Sequence, residues 1–448
     1  MSSLIDKIKD NKISLPIWLG QVLAYIPFSW RPVIGKEYSR YRKLIDHYNK
    51  SSEHSKEEFI FSNVSNLVNY AYNHIDFYRH YYDEKGFSPS DLHEFKDLQK
   101  IPVINKDILL KYALSERSNL NLPHYLVNTG GSSGKTLTLC SQRYQMPIET
   151  IHCHIMYSSI GYRYSDLKMS IVGRKLNSDY RYDFARHILF LNMYKPFEVT
   201  ASSLGKLLKR YPIRFIQGYP SVVSDFANYC HKNSELLKII RNKLSGIILN
   251  SEFPYDRYVE NIEKTFGVKC LSFYGHTERC VLAHGDLEKK NHYYPFQTYG
   301  FTEAVQDKNG KYHLVGTSYY NFASPLIRYD TEDIISNPIY SSNGILEAFD
   351  ILEGRSGQFI IDKHGRSISL TGLIMGRHHL LFNYCSHIQV AQVDKGKAII
   401  YYILKPGITI EEPSILFDSS GIDIEFEYKM IPEPIRTKSG KVNLLVKE

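Results

Sequence analysis

The sequence predicts an α/β protein: a large N-terminal domain of parallel-rich sheets with helices, then a small mobile α+β domain at the C-terminus. Three observations predict it. Between about 213 and 274, short apolar runs alternate with helical stripes. Past Gly354 the pattern changes to strands paired across tight turns. A chain of 448 residues is also too long for one small domain. The expected divisions are an arm over 1–59, a main domain over 60–353 and a small domain over 354–448.

Taken in order, the first notable element is Ile13 to Trp30, which carries no charge over 18 residues. Its length nearly spans a bilayer, but Pro16 and Pro27 would interrupt a helix. The expected structure is an arm buried against the main domain, with peripheral membrane contact through Ile13–Trp30 as the lesser alternative. Next, "NTGGSSGKTLTL" (Asn128 to Leu139) resembles a phosphate-binding P-loop on first sight. Such a loop needs a glycine five places before that of its Gly-Lys-Ser/Thr, and Thr129 stands there. Beyond Gly134, polar and apolar residues alternate, the period of a strand and not of a helix. The loop therefore joins two strands, "HYLVNT" and "TLTLCS", and a P-loop NTPase is disfavoured.

From 213, "IRFIQGY" reads as a strand, and Val222, Val223, Phe226, Ala227 and Cys230 form a helical stripe. "GIILNS" is a buried strand; Tyr255, Tyr258, Val259, Ile262 and Phe266 form a second stripe, closed by Gly267 as its cap. "VKCLSFYG" is the next strand. This alternation implies a parallel sheet with right-handed crossovers. Ligands lie beyond the carboxyl ends of such strands, which puts Ser251 and Tyr274 on the binding rim. In the last ninety residues, hairpins are expected around Asp362–Gly365 and Asp394–Lys397, a helix over 372–383 and a strand at "IDIEFEY".

Composition narrows the function. With 43% hydrophobic and 23% charged residues the chain can build an ordinary core. The 36 tyrosines suit clefts that are apolar on one side and wet on the other. The net charge of +8 is scattered, with no basic run, so it favours anionic small ligands over nucleic acid. The six cysteines have neither CxxC nor zinc-ligand spacing, as expected of free thiols in a reducing cytoplasm.

Four stretches carry the chemistry: the Ser/Thr/Gly loop, "FYGHTER" (Phe273 to Arg279), "RYDTEDI" (Arg328 to Ile334) and "RTKSGK" (Arg436 to Lys441). In this order they resemble the adenylate-forming superfamily of acyl-CoA ligases, luciferases and adenylation domains. "YGHTERC", "YPFQTYGFTE", "GTSYYNFASPLIRYDTED" and "IQGYPS" are similar to the phenylacetate–CoA ligase-like branch, in particular its CapK-like subgroup associated with capsule and O-antigen synthesis. The likeness covers about residues 60 to 445.

Each stretch also has its own physical reading. The loop Thr129, Gly130, Gly131, Ser132, Ser133, Gly134 and Lys135 offers amides and hydroxyls able to wrap a triphosphate; on the loop alone, a flexible β-turn is the simpler reading. Tyr274 can stack on an adenine, Thr277 offers a hydroxyl to the α-phosphate and Glu278 is a hard ligand for Mg²⁺. Without the other motifs, Glu278 reads as a surface carboxylate paired with Arg279. The resemblance implies that the first loop holds the β- and γ-phosphates of ATP, that Gly275 shares the nucleotide site and that Asp333 accepts from the ribose hydroxyls. It puts Ser251 and Glu252 along the adenine, Arg355 near the nucleotide at a domain hinge, and Tyr219, Pro220, Ser221 and His276 at the acyl pocket. It makes Lys441 the catalytic lysine that bridges carboxylate and α-phosphate, where composition alone reads a basic tail. Two positions depart from the family pattern: Glu332 replaces a glycine and Gly357 an aspartate. His152 and His154 read as structural histidines.

The expected activity is an ATP- and Mg²⁺-dependent, AMP-forming carboxylate ligase of the cytoplasm. The acceptor is an amine, in amide formation on a sugar acid during polysaccharide assembly, or the thiol of coenzyme A. A non-catalytic nucleotide-binding relative is the alternative from another class.

Overall fold

The computed structural model describes residues 15–31, 35–130, 136–172, 176–193, 195, 197–351, 358–375, 377, 379–405, 407–435 and 443–446. Its strands are β1 (Tyr125–Gly130), β2 (Thr136–Ser141), β3 (Leu167–Ile171), β4 (Tyr180–Asp183), β5 (Ile188–Leu191), β6 (Ile213–Gly218) and β7 (Gly246–Leu249). Then come β8 (Cys270–Gly275), β9 (Leu282–Gly285), β10 (His292–Pro295), β11 (Gly300–Gln306), β12 (Tyr312–Ser318), β13 (Tyr329–Tyr340) and β14 (Leu346–Ile351). The C-terminal strands are β15 (Phe359–Ile361), β16 (Ser367–Ser369), β17 (Cys385–Asp394), β18 (Lys397–Leu404), β19 (Glu425–Met430) and β20 (Leu445–Val446).

One twelve-stranded sheet, ordered β11-β12-β13-β14-β10-β9-β8-β7-β6-β3-β5-β4, organises the main body. Its middle run β5-β3-β6-β7-β8 is parallel, as the strand–helix alternation predicts. Helices α1 (Ile17–Ala24), α2 (Gly35–Lys50), α3 (Glu53–His74), α4 (Asp76–Glu84) and α5 (Gln145–Ser158) precede the parallel run or pack at its edge. Helices α6 (Phe197–Arg210), α7 (Pro220–His231), α8 (Ser234–Arg241) and α9 (Asp256–Phe266) lie within it. The expected stripe of α7 is buried throughout, and its apolar residues share a core with Ile262 and Phe266 of α9. Gly267 ends α9 in the left-handed conformation, φ +72°, which a glycine adopts without a Cβ clash.

Beyond β8 the sheet turns antiparallel through β9, β10, β14, β13, β12 and β11. Its core includes Leu314 and Phe349 from the strands and Val64, Leu67, Phe77 and Tyr78 from α3 and α4. Helix α3 runs unbroken across positions 59 and 60, so no break in secondary structure marks the boundary expected there.

The C-terminal strands form a hairpin β15-β16 and a sheet β19-β18-β17-β20, with a core of Ile360, Leu373, Phe382, Ile388, Ile400 and Phe417 among others. Both expected hairpins are present. The helix expected over 372–383 is not: that stretch makes two short turns, Thr371–Met375 and Leu380–Asn383. Side chains that a regular helix would point outward are drawn inward here. His379 stacks flat on Phe417 at 3.9 Å and bonds Leu373 O, while Arg377 reaches the carbonyls of Asp418 and Ser420.

Residues 15–31 follow the expectation of a packed arm on one face only. Ile17, Gly20, Ala24 and Phe28 are buried, whereas Trp18, Val22, Tyr25, Ile26 and Trp30 are exposed. Among the described residues no helix is long and apolar enough to cross a membrane. All six cysteines are free thiols.

Candidate active site

The site begins with an irregularity in strand β13. His313 pairs with Ile334 and Val315 with Asp330, so Leu314 alone faces residues 331 to 333. The extra residues form a bulge, closed by the Thr331 hydroxyl on Leu314 O at 2.8 Å and by Glu332 N on the Asp330 carboxylate at 2.8 Å. Glu332, the residue standing where the family pattern has glycine, takes φ +64°. A left-handed backbone is what a glycine would serve at no steric cost. The bulge turns Asp333 toward the end of β8, where its carboxylate accepts a 2.6 Å hydrogen bond from Tyr274. Burial first, and Asp333 second, push the Tyr274 phenol well above its ordinary pKa, which keeps it a donor.

The turn after β8 carries the remaining groups. Gly275 and Thr277 are exposed at its surface, while Glu278 is buried. Glu278 faces Lys106 at 3.6 Å and His276 at 3.1 Å, and all three side chains are less than a tenth exposed. Burial disfavours the Glu278 charge, but Lys106 and then His276 outweigh it and hold the carboxyl well below its usual range. The pairing with Arg279 does not form. Arg279 turns instead to Glu149 of α5 at 3.0 Å and to Tyr125 and Ser141 at the base of the β1-β2 hairpin, at 3.2 and 3.1 Å.

Lys106 has no distinguishing pattern in the sequence, and sequence reasoning missed it. The structure explains its position: Ile104 bridges to β13 through Ile104 N on Arg328 O and Asp330 N on Ile104 O. Asn105 then caps a short turn, Lys106–Leu109, by accepting from Ile108 N at 2.9 Å. Arg328 itself is buried, bonding Glu303 and the carbonyls of Gln99 and Ile101. The "RYDTED" stretch thus sets both sides of the site.

The loop that resembles a P-loop is the tip of an antiparallel hairpin, with Gly130 opposite Thr136. Gly131, Ser132, Ser133, Gly134 and Lys135 lie outside the described residues, as do Arg355, Gly357 and Lys441. Thr129, just before the tip, is buried, and its hydroxyl has no hydrogen-bond partner among the described residues. Such an orphaned donor is costly unless something meets it. The flanks of the tip are held by the small sheet: Thr136 donates to Cys385 O at 2.6 Å, and the Asn128 and Asn383 side chains bond at 2.8 Å. Ile435 and Asn443, the described residues nearest Lys441 on either side, are both bonded to the buried Gln389. Its amide accepts from Ile435 N at 2.8 Å and donates to the carbonyls of Ile435 and Asn443 at 2.9 and 2.7 Å.

At the carboxyl ends of β6 and β7, Tyr219, Pro220 and Ser221 are buried at the start of α7. Ser221 is bound by its amide and hydroxyl to the buried Glu252. Ser251 is exposed on the rim at φ +67°. His152 and His154 are structural: His152 bonds Ile148 O and Thr298, and His154 bonds Tyr38.

Two of the four chemistry-bearing stretches therefore meet, through Tyr274–Asp333, and Arg279 ties the first of them to the base of the β1-β2 hairpin. A solved 2-hydroxyisobutyryl-CoA ligase, in a postadenylation state with R3-HIB-AMP, matches this architecture. Its TM-score is 0.52 over 88% of this chain and 90% of that one, at 16% identity. This chain has the adenylate-forming fold. The same ligase with 2-HIB-AMP and CoA, in a thioesterification state, matches at TM-score 0.51 and 15% identity, covering 89% of this chain and 90% of that one. In sequence the chain is similar to Protein CapK of Staphylococcus aureus, 22% identical over 283 residues, and the match spans 60% of each chain. No family model matches it.

Proposed function

We propose that the protein is an AMP-forming ligase that activates a carboxylate with ATP and passes it to an acceptor. The observation that carries this reading is the meeting of Tyr274 and Asp333 at 2.6 Å beside the buried Glu278, on an adenylate-forming fold. In this reading the Asp333 carboxylate accepts from the ribose hydroxyls, Tyr274 lies against the base, and Thr277 and the orphaned Thr129 hydroxyl face phosphate oxygens. Gly130 to Lys135 surround the β- and γ-phosphates, Gly275, Ser251, Glu252 and Arg355 complete the nucleotide wall, and Tyr219, Pro220, Ser221 and His276 border the acyl group.

The acid's oxygen attacks the α-phosphorus, the bond to the bridging oxygen breaks, and pyrophosphate leaves. Lys441 neutralises charge as this happens. Glu278 suits Mg²⁺, which takes one or two carboxylates together with phosphate oxygens. When bound, the ion would shield phosphate charge, beside the Lys106 and His276 side chains that already face Glu278. A nucleophile then displaces AMP from the acyl-adenylate after the small domain has rotated.

The likeness to CapK favours an amine acceptor, with amide formation on a sugar acid in surface polysaccharide assembly. The likeness to a structure holding both 2-HIB-AMP and CoA favours the second reading, thioester formation. Pyrophosphate exchange into ATP, run with sugar acids and aryl acids, tests the first step; no exchange with any acid, together with tight ATP binding, would leave a nucleotide-binding protein. Adding coenzyme A or amines then separates the acceptors by which one speeds AMP formation. A thioester without amide would overturn the polysaccharide reading.

A further inference from the structure

The arm over residues 15–31 uses only half of its apolar surface. One face of α1 is seated on the main body: Ile17, Gly20 and Ala24 are buried, and Gly20 lies so close to Tyr182 that any Cβ would collide with its ring. The other face and the turn after it present Trp18, Val22, Tyr25, Ile26 and Trp30, which are 55, 62, 74, 40 and 78% exposed. These are the only two tryptophans in the chain. A surface helix ordinarily turns polar residues outward, so apolar residues on both faces leave one face without a partner.

The patch is held in place. Arg31 closes the arm by donating to Ala24 O and Ala185 O, and its guanidinium lies 3.9 Å from the centre of the Phe28 ring. Phe28 is in turn packed among Tyr38, His154 and Tyr164. Helix α2 starts against this turn, since a Cβ on Gly35 would strike the carbonyls of Phe28 and Ser29.

Charge decides what covers the face. Residues 31–50 hold Arg31, Lys36, Arg40, Arg42, Lys43 and Lys50 against only Glu37 and Asp46, which is half of the chain's excess of +8. All of these cations except Arg31 are exposed. A second copy of so basic a chain would meet this region with like charge, whereas an anionic surface would be attracted. Indole and phenol rings, together with the aliphatic Val22 and Ile26, suit the boundary between headgroups and acyl chains. With no helix able to cross a membrane among the described residues, contact is with the surface.

We propose that the face formed by Trp18, Val22, Tyr25, Ile26 and Trp30 docks on an anionic lipid bilayer, with the exposed cations of α2 beside it. The proposal is independent of the reaction chemistry.

The two tryptophans make the test direct, because all indole emission comes from this face. The full chain is mixed with vesicles of phosphatidylcholine alone or of phosphatidylcholine and phosphatidylglycerol at about seven to three. The expected result is co-sedimentation and a blue-shifted emission with the anionic vesicles, weakening with salt, and roughly tenfold weaker binding to the neutral ones. The variant Trp18→Ser/Val22→Asp/Trp30→Ser is expected to lose co-sedimentation while keeping its circular dichroism melt and its pyrophosphate exchange. Arg40→Glu/Lys43→Glu, which leaves the apolar face intact, is expected to reduce binding to the anionic vesicles alone. Blue-shifted emission in buffer without vesicles would overturn the proposal, because residues 1–14 or a second copy would then already cover the face. So would absence of binding to anionic vesicles, or binding that both variants leave unchanged.

Discussion

Glu332 offers a direct check on the geometry of the site. Its φ of +64° puts a side chain in the left-handed region, which costs an L-residue roughly 1–2 kcal/mol. Glycine removes that cost but adds freedom to the unfolded chain, an offset of roughly 0.4–1 kcal/mol. Glu332→Gly is therefore expected to stabilise the protein by about 1 kcal/mol. Glu332→Ala is the necessary control, because it removes the carboxylate and its contacts but keeps the strained backbone. The gain should appear in glycine over alanine. In thermal unfolding the effect would be hard to see: at roughly 2 cal/mol/K of unfolding entropy per residue, 1 kcal/mol moves the midpoint of so long a chain by only about 1 °C. Urea unfolding followed by circular dichroism is the better assay, with a midpoint shift on the order of 0.3 M. Tryptophan fluorescence would be misleading, since both indoles lie on the arm. If glycine and alanine unfold at the same urea concentration, the bulge does not hold a left-handed residue. The account of how Asp333 comes to face Tyr274 then fails with it.

Four further outcomes rest on the same contacts. Lys106→Met leaves Glu278 buried without its main counter-charge and is expected to cost roughly 3–5 kcal/mol, while Lys106→Met/Glu278→Gln recovers most of it; urea unfolding of the two variants decides. Asp333→Ala is expected to raise the KM for ATP by roughly tenfold or more, the worth of hydrogen bonds to a charged acceptor, with steady-state kinetics as the measure. Burial holds His152 and His187 at pKa values of about 4, below the usual imidazole value. The unfolded chain therefore binds more protons between pH 4 and 6.5, and stability is kept above that window and lost as pH falls through it. Going from pH 7.5 to 5 should cost on the order of 2 kcal/mol for each, visible as a falling urea midpoint. Finally, Gln389→Leu should lower kcat more than it raises KM if Gln389 positions the Lys441 segment, whereas a merely structural role would lower stability alone.

The elements that could be read from sequence are those whose pattern has one cause. The parallel strands β6, β7 and β8 are short and mostly apolar, with β7 buried throughout, and α7 turns a single stripe inward. The β1-β2 hairpin was legible because Lys135 to Leu139 has a period of two where a P-loop would start a helix. The antiparallel half was not. Strand β13, "YDTEDIISNPIY", carries acids, a proline and a bulge, and much of it is exposed, so no alternation survives. Strands β9 and β10 are four residues each, too short for a period. The expected helix over 372–383 failed because Arg377 and His379 have partners in the later segment around Phe417 to Ser420, which local spacing cannot reveal. Of the site, Tyr274, Glu278 and Asp333 stood in motifs, but Lys106 did not. Its position depends on a bridge between Ile104 and Tyr329, far apart in the chain. An asparagine cap followed by lysine was its sole local signal, and that describes many surface turns.

The contacts around the hairpin tip bear on how a rotating lid could act. Asn128 and Thr136 lie on either side of the tip, and each is bonded to the segment that begins β17, through Asn383 and Cys385. Arg279 holds the other end of the same hairpin to α5 through Glu149, Tyr125 and Ser141. The base is thus fixed to the main body, and the flanks of the tip to the segment that leads into β17. If the small domain rotates between adenylation and transfer, both bonds at the tip must break while the base stays in place. At about 1 kcal/mol each, they are weak enough to break once per turnover and strong enough to bias the tip's position. In the proposed reading, the flanks of the tip are held from both sides only while the small sheet is docked, so a grip of the loop on the β- and γ-phosphates would slacken as the lid departs. A reaction that must discharge pyrophosphate before its acceptor enters needs that order of events, and Thr136→Val, which deletes one of the two bonds, should change the rate of pyrophosphate release more than the affinity for the acid.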